Sequence, residues 1–324
     1  MRRVTYREAI REALDEEMAR DGSTFLMGED IGKHGGAFGA TRGLIAEFGP
    51  ERVRDTPISE SVVVGAGVGA ALTEMRPVVE IMYMDFMAMA MDSIVNQAAK
   101  VKYMFGGHPV VPLTIRTAYG AGRGNAAQHS QSLETWFTVI PGLTVVMPST
   151  PYDAKGLLKA AIRNDNPVIV IEHKLLYGVT GLVPGEEYVV PLGEATVRRA
   201  GTDVTVVATG RMCGLAVGAA EKLSAEGIDV ELIDPRTLKP LDVATIAASV
   251  GKTHRAVVVN EGHRTGGFTN ELAARIMDDC FYDLDAPIKR VAAEDVPVPF
   301  SPSLELEMLP TEDDILAAVR EIVA

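Results

Sequence analysis

Cysteine is nearly absent from this chain. Only Cys213 and Cys280 occur in 324 residues, and neither has a partner at ligand-like spacing. That excludes a disulfide framework. Basic residues are also in short supply, 31 Lys and Arg against 44 Asp and Glu, for a net charge of -13. Such a balance is wrong for a nucleic-acid partner or an anionic membrane surface. No apolar run reaches membrane-spanning length, because Asp85 and Asp92 interrupt the most apolar candidate. The opening MRRVTYREAIREALDEE has early charge without an apolar core, so it is not a secretory signal, and a reducing cytoplasm is the expected compartment. What is present is 47% hydrophobic and 23% charged residues, a globular composition long enough for two domains.

The stretch from Thr56 to Phe86, TPISESVVVGAGVGAALTEMRPVVEIMYMDF, organises the rest. One acid, Glu60, stands between Ser59 and Ser61, ahead of small and branched apolar residues with glycines at 65, 67 and 69. A helix starting near Ser59 keeps Glu60 in its first turn, where the helix dipole favours a carboxylate. The small side chains let that helix lie close to a neighbour. Arg76-Pro77 is expected to stop it, and Val78 to Tyr83 reads as a buried strand. This sets a carboxylate at the mouth of an apolar cavity, where desolvation tunes its proton.

A competing reading comes from the same glycines. Gly65 to Ala70 imitates the G-x-G-x-x-A dinucleotide fingerprint, with Glu80 on the following strand. Against it, Val62-Val63-Val64 makes barely a strand, and Pro57 lies just upstream. The glycines also stand too near Arg76-Pro77 for the usual helix, and the acid comes earlier than the roughly twenty residues expected.

Elsewhere strand and helix alternate. Thr5 and Glu8 form a capping box, with Tyr6, Ile10, Leu14 and Met18 on one face of the following helix. A strand at Thr24 to Met27 runs into Gly28-Glu29-Asp30, acids that are either solvated loop residues or part of a site. Residues 35–39 form a flexible loop before a helix at about Arg42 to Phe48. Met84, Met87, Met89 and Met91 lie near a helical face with Phe86 and Ile94 and suggest a subunit interface. Val110 to Arg116 reads as a strand closing on GAGRGNAAQHSQS, residues 120–132. His129, at the end of this loop, is either a structural histidine or a chemical one. Strands follow at Leu143 to Met147 and Val168 to Glu172, around a helix at Tyr152 to Arg163. The segment from Val183 to Gly201 reads as a connection, after which the alternation restarts through strands near 204, 230, 256 and 288. The expectation is α/β: two doubly wound domains, residues 1–185 and 186–324.

PISE-SVVVGAGVGAAL, MDFMAMAMD, AAQHSQSLE and PSTPYDAKGLLKAAI occur in an order that resembles the β subunit of the thiamine-diphosphate-dependent E1 component of 2-oxo acid dehydrogenase complexes. The similarity continues through GTDVTVVATG, IDPRTLKPLD and EGHRTGGF, so it spans essentially the whole chain. It implies a pyrimidine-binding domain followed by a transketolase C-terminal-like domain. It also implies an α2β2 heterotetramer with thiamine diphosphate shared between the chains, and transfer of the acyl group to the lipoyl group of an E2 acyltransferase. Glu60 then matches the glutamate that bonds the aminopyrimidine ring, and Phe86 the aromatic packed on it. His129 matches a histidine of the active-site channel, handling protons or orienting the acyl group, and Glu29 an acid in a buried carboxylate chain joining paired sites. In some members main-chain carbonyls at positions matching Leu113, Ala161, Ile162, Asn164 and Asn166 hold K+.

A further absence fits. The diphosphate and its Mg2+ require a GDG motif with a downstream asparagine, which this chain lacks, so the resemblance assigns the Mg2+ to the α subunit. YMFGG, GAGRGNAAQHSQSLETWF and VVMPSTPYDAKGLL look most like acetoin dehydrogenase, with pyruvate dehydrogenase close behind. A branched-chain 2-oxo acid dehydrogenase subunit and a non-catalytic scaffold that tethers an acyltransferase are the alternatives.

Overall fold

Thr5 does cap the first helix. Its hydroxyl accepts the Glu8 N–H at 3.2 Å while Glu8 Oε2 accepts the Thr5 N–H at 2.7 Å. The computed structural model describes Met1–Ala324. Two units emerge: Met1–Tyr119 with Trp136–Leu192, and Gly120–Thr135 with Gly193–Ala324. Residue 185, where the first domain was expected to end, thus lies inside the first unit.

The first unit contains strands β1 (Arg2–Thr5), β2 (Thr24–Gly28), β3 (Val53–Asp55), β4 (Arg76–Ile81), β5 (Thr114–Tyr119), β6 (Thr144–Val146), β7 (Val168–His173) and β8 (Thr180–Val183). Six of them run parallel in the order β6-β7-β5-β4-β2-β3, while β1 and β8 form an antiparallel pair. Every residue of β2, β5 and β7 is buried. That is the pattern of a parallel sheet covered on both faces. Its helices are α1 (Tyr6–Arg20), α2 (Leu44–Phe48), α3 (Glu60–Ala71), α4 (Val101–Met104), α5 (Thr135–Thr138, at the junction) and α6 (Pro151–Arg163). Thr150 caps α6 by accepting the Asp153 N–H, with Pro151 in the first turn, where its missing N–H costs nothing. Helices α1 and α6 pack through Tyr6, Ile10, Leu14, Leu157 and Leu158, and buried Lys155 and Lys159 reach Glu16 at 2.5 and 2.6 Å.

The second unit holds β9 (Thr196–Arg199), β10 (Val204–Ala208), β11 (Val230–Asp234), β12 (Thr237–Lys239), β13 (Ala256–His263) and β14 (Lys289–Ala293). Its sheet runs β14-β13-β10-β11-β9, parallel except for the edge strand β9. Helices α7 (Met212–Ala225), α8 (Val243–Thr253), α9 (Phe268–Cys280), α10 (Pro302–Met308) and α11 (Glu312–Val323) complete it. Its core gathers Val206, Leu232, Val257, Leu223 and Val319. The fold is two-domain α/β, as expected. No helix is long and apolar enough to cross a membrane.

Several local expectations shift. The strand placed at Val110 to Arg116 begins only at Thr114, since Pro109 and Pro112 have no N–H to give a ladder. Arg76-Pro77 does not end a helix; α3 ends at Ala71, and the pair opens β4, where a first-position proline is tolerated. The methionine stripe is a 3₁₀ segment, Met84–Ala90, followed by a π segment, Ser93–Ala98. Met84 and Met87 are core residues at 0% exposure, and only Met89, at 66%, faces outward as an interface residue would. The supposed connection at 183–201 contains β9, which adds to β11.

Candidate active site

Helix α3 begins at Glu60, and its glycines fall in mid-helix. A Cβ added at Gly67 would lie 3.0 Å from both Leu113 and Val79, so the missing side chain is what lets α3 lie directly on β4 and the approach to β5. At Gly65 an added Cβ would meet Ser93 Oγ at 3.3 Å. These glycines serve close packing and form no phosphate-binding turn, which removes the dinucleotide reading. Helix α3 also packs against the 3₁₀ segment, bringing the partly exposed Phe86 to the element that carries Glu60.

Ser59 does not cap α3; its hydroxyl donates to the Pro57 carbonyl at 3.1 Å. Glu60 is partly exposed, with Ile58 at 73% and Val62 at 63% exposure beside it. The expected apolar cavity is therefore not closed around Glu60 within this unit, because the first turn of α3 faces outward. Glu29, immediately after β2, titrates above the ordinary carboxylate range. Burial is the main cause, followed by the negative charges of Asp30 and Glu60. The fold thus brings Glu29 and Glu60 within electrostatic reach of each other.

A buried polar cluster lies in the same unit, and sequence reasoning missed it. Arg116 of β5 donates from Nε to Glu172 Oε1 at 2.7 Å, from Nη2 to Glu172 Oε2 at 2.8 Å and from Nη1 to Glu80 Oε2 at 2.5 Å. Tyr177 donates its hydroxyl to Glu172 at 2.6 Å, and Phe38 stacks on Tyr177 with ring centroids 4.4 Å apart. Burial alone would lower the arginine pKa, but the Glu172 and Glu80 charges hold it above its ordinary value. Burial in turn raises Glu80 despite Arg116. A charged residue inside an otherwise uncharged strand, as Arg116 is in TIRTAY, was the available signal.

His129 belongs to the second unit. It is partly exposed, on a turn closed by its own N–H to the Ala126 carbonyl at 3.4 Å. Leu113, Ala161, Ile162, Asn164 and Asn166 lie in the first unit. The Leu113 carbonyl accepts the Val168 N–H at 2.9 Å, and the Ala161 carbonyl accepts the Asn164 N–H at 3.1 Å. Arg76 donates to the carbonyls of Ile162 and Asn164 at 3.1 and 3.2 Å. Lys102 donates to Asn166 Oδ1 at 3.0 Å. An all-oxygen set suits an alkali cation in its chemistry, but here the ion would share two carbonyls with a guanidinium.

Residues 2–180 match the family described as transketolase, pyrimidine binding domain, and residues 193–315 match transketolase, C-terminal domain. Among curated relatives, the 2-oxoisovalerate dehydrogenase subunit beta of Bacillus subtilis (strain 168) is 45% identical, covering 98% of each chain. The acetoin:2,6-dichlorophenolindophenol oxidoreductase subunit beta of the same organism is 46% identical, over 99% of this chain and 97% of the relative. The pyruvate dehydrogenase E1 component subunit beta of Rhizobium meliloti (strain 1021) is 47% identical, over 99% of this chain and 70% of the relative. A solved structure described as a split gene transketolase, inactive beta4 tetramer, superposes with a TM-score of 0.82 at 25% identity, covering 99% of this chain and 98% of that one. The chain belongs to the E1 β-subunit family of 2-oxo acid and acetoin dehydrogenases, built on the transketolase fold.

Proposed function

We propose that this chain is the β half of a thiamine-diphosphate-dependent E1 enzyme that acts on acetoin or pyruvate and delivers the acyl group to a lipoyl-bearing E2. The observation that carries the reading is the placement of Glu60 at the first turn of α3, with Glu29 beside it and Phe86 on the adjoining 3₁₀ segment. These residues fit an aminopyrimidine: a reachable carboxylate at a helix N-terminus, a second acid to modulate it, and an aromatic face. When bound, thiamine diphosphate supplies a nucleophilic carbon for cleaving the bond beside a ketone carbonyl. Glu60 holds and moves a proton at the pyrimidine nitrogen, and Phe86 covers the ring and keeps water from it. Glu29, raised by burial and by the charges of Asp30 and Glu60, is an acid of the carboxylate chain that joins paired sites. His129 orients the acyl group and handles protons during transfer to the lipoyl group.

A cradle for the diphosphate and its Mg2+ comes from an α subunit, because this chain has no GDG sequence. The assembly is an α2β2 heterotetramer in the cytoplasm. A potassium ion at the carbonyls of Leu113, Ala161, Ile162, Asn164 and Asn166 adds rigidity, and replacing K+ by choline lowers the melting temperature. An unchanged melting temperature removes the ion from this reading.

The deciding experiment pairs the chain with a cognate α subunit and measures turnover with acetoin, pyruvate and branched-chain 2-oxo acids. Turnover only in the pair, with acetoin or pyruvate preferred, is the expected result. Tight thiamine diphosphate binding and decarboxylation by the isolated chain would overturn it, and an inactive pair with every substrate would favour a scaffold.

A further inference from the structure

The second unit contains a buried carboxylate that has no cationic partner. Glu305, on α10, is 2% exposed, and its two oxygens accept the Gly122 N–H at 2.8 Å and the Gly124 N–H at 3.0 Å. Glu261, 3% exposed on β13, accepts the adjacent Ala121 N–H at 2.8 Å. Three backbone donors of the glycine-rich loop are thus turned onto two acids that are remote in sequence.

The loop backbone is made for this. Gly120, Gly122 and Gly124 have φ of 96°, 92° and 64°, a conformation side chains resist, and it aims alternate N–H groups to one side. Ala121 is pulled under the surface into a small apolar cluster with Ala293, Val298, Met308 and Leu309. Beyond Gly124 the chain turns at Ala126, φ 59°, and His129 closes that turn. Ser130, next in sequence, is 2% exposed. His129 is therefore suspended between two fixed points, the clasp at Gly122–Gly124 and the buried Ser130.

We infer that Glu305 is a positioning residue for His129: its carboxylate clasps the glycine-rich loop and so sets where the imidazole stands during acyl transfer. The inference rests on the role proposed above for His129. Charge-assisted hydrogen bonds to backbone N–H groups are shorter and stronger than neutral ones, and burial excludes the water that would compete for them. Losing the clasp frees a loop with three glycines while leaving the sheet core intact.

The test uses Glu305→Gln, which is near-isosteric but offers the amides one acceptor and one donor. In the full chain, hydrogen exchange of peptides covering residues 120–132 should quicken at least tenfold, with peptides over residues 204–208 unchanged. In the assembled enzyme, kcat/KM for a lipoyl domain should fall about tenfold, while oxidation by an artificial acceptor stays within about threefold. In a His129→Ala background Glu305→Gln should add no further loss in the lipoyl assay. Unchanged loop exchange, or a loss fully additive to that of His129→Ala, overturns the inference. If His129→Ala alone leaves both assays intact while the loop exchange of Glu305→Gln still rises, the clasp stands and the role of His129 is what fails. Should Glu305→Gln unfold, Glu305→Asp takes its place, with the same exchange readout.

Discussion

Glu172 meets Arg116 through two parallel hydrogen bonds, Nε to Oε1 at 2.7 Å and Nη2 to Oε2 at 2.8 Å. The two residues are offset by two along the paired strands β5 and β7, so they share a face of the sheet. Removing one member of such a buried pair strands the other charge, which typically costs about 3–5 kcal/mol, whereas replacing both by apolar groups is often nearly neutral. Because Arg116 keeps Glu80 as a partner, Glu172→Ala should lower urea stability by about 1–3 kcal/mol, the cost of breaking buried hydrogen bonds. The double variant Arg116→Met with Glu172→Leu should recover part of it. A single variant within about 1 kcal/mol of the parent would show that the pair is not desolvated as described.

Glu60→Gln should cut turnover of the assembled enzyme by about a hundredfold or more, the usual cost of losing one positioned proton-transfer group. Its effect on stability should stay below about 1 kcal/mol, the scale of a partly exposed acid at a helix N-terminus. Steady-state kinetics beside thermal melts make the comparison, and near-parental turnover would remove Glu60 from the chemistry.

His129→Ala should impair lipoyl acylation more than artificial-acceptor oxidation. Its place on a partly exposed loop, five residues beyond the Gly124 anchor, suits a step at the entrance better than one at a cavity floor. Equal losses in the two assays would place its action earlier, on the substrate carbonyl.

Glu134 is 1% exposed, and neither of its oxygens has a well-formed hydrogen bond. Burial is the largest cause and raises it above its ordinary 4.5, opposed by its own backbone N–H and by Asn260, with the Glu261 charge adding a smaller upward push. With the folded pKa above the unfolded one, the native state binds the extra proton, and stability falls as pH climbs from about 4.5 through the folded pKa. Glu134→Gln removes that loss. Its melting temperature should match the parent near pH 4 and exceed it increasingly toward pH 8. A constant difference across that range would mean that Glu134 does not titrate this way.

Where periodicity and capping determine structure, the sequence was a sufficient guide. Thr5–Glu8 closes its helix as a capping box, and the apolar runs at Val168 and Val204 are interior strands. The start of α3 at Glu60 was equally legible from the acid's place at the helix dipole and the small residues after it, although Ser59 makes no side-chain cap. The failures have local causes. Pro112 delays β5, and Pro77 opens a strand where a helix stop is expected, because a strand accepts proline at its start. Glu60 is more open than an apolar cavity mouth implies, because its apolar neighbours Ile58 and Val62 face outward. The pairing of Arg116 with Glu80 and Glu172, and of Glu305 with its loop, could not be read from the sequence because each joins residues far apart in it. Only the folded sheet brings such side chains together.

The bond from Gly122 to Glu305 spans 183 positions of the chain. On a ribosome adding about 5–20 residues per second, the loop would wait roughly 10–40 s for its clasp to be made. A nascent chain, or one cut short before residue 305, carries His129 on a loop without the Gly122 and Gly124 bonds to Glu305, however well its first sheet has formed. Completion of synthesis and closure of the loop are thereby linked, and a truncated chain would lack the placement of His129 proposed for lipoyl transfer.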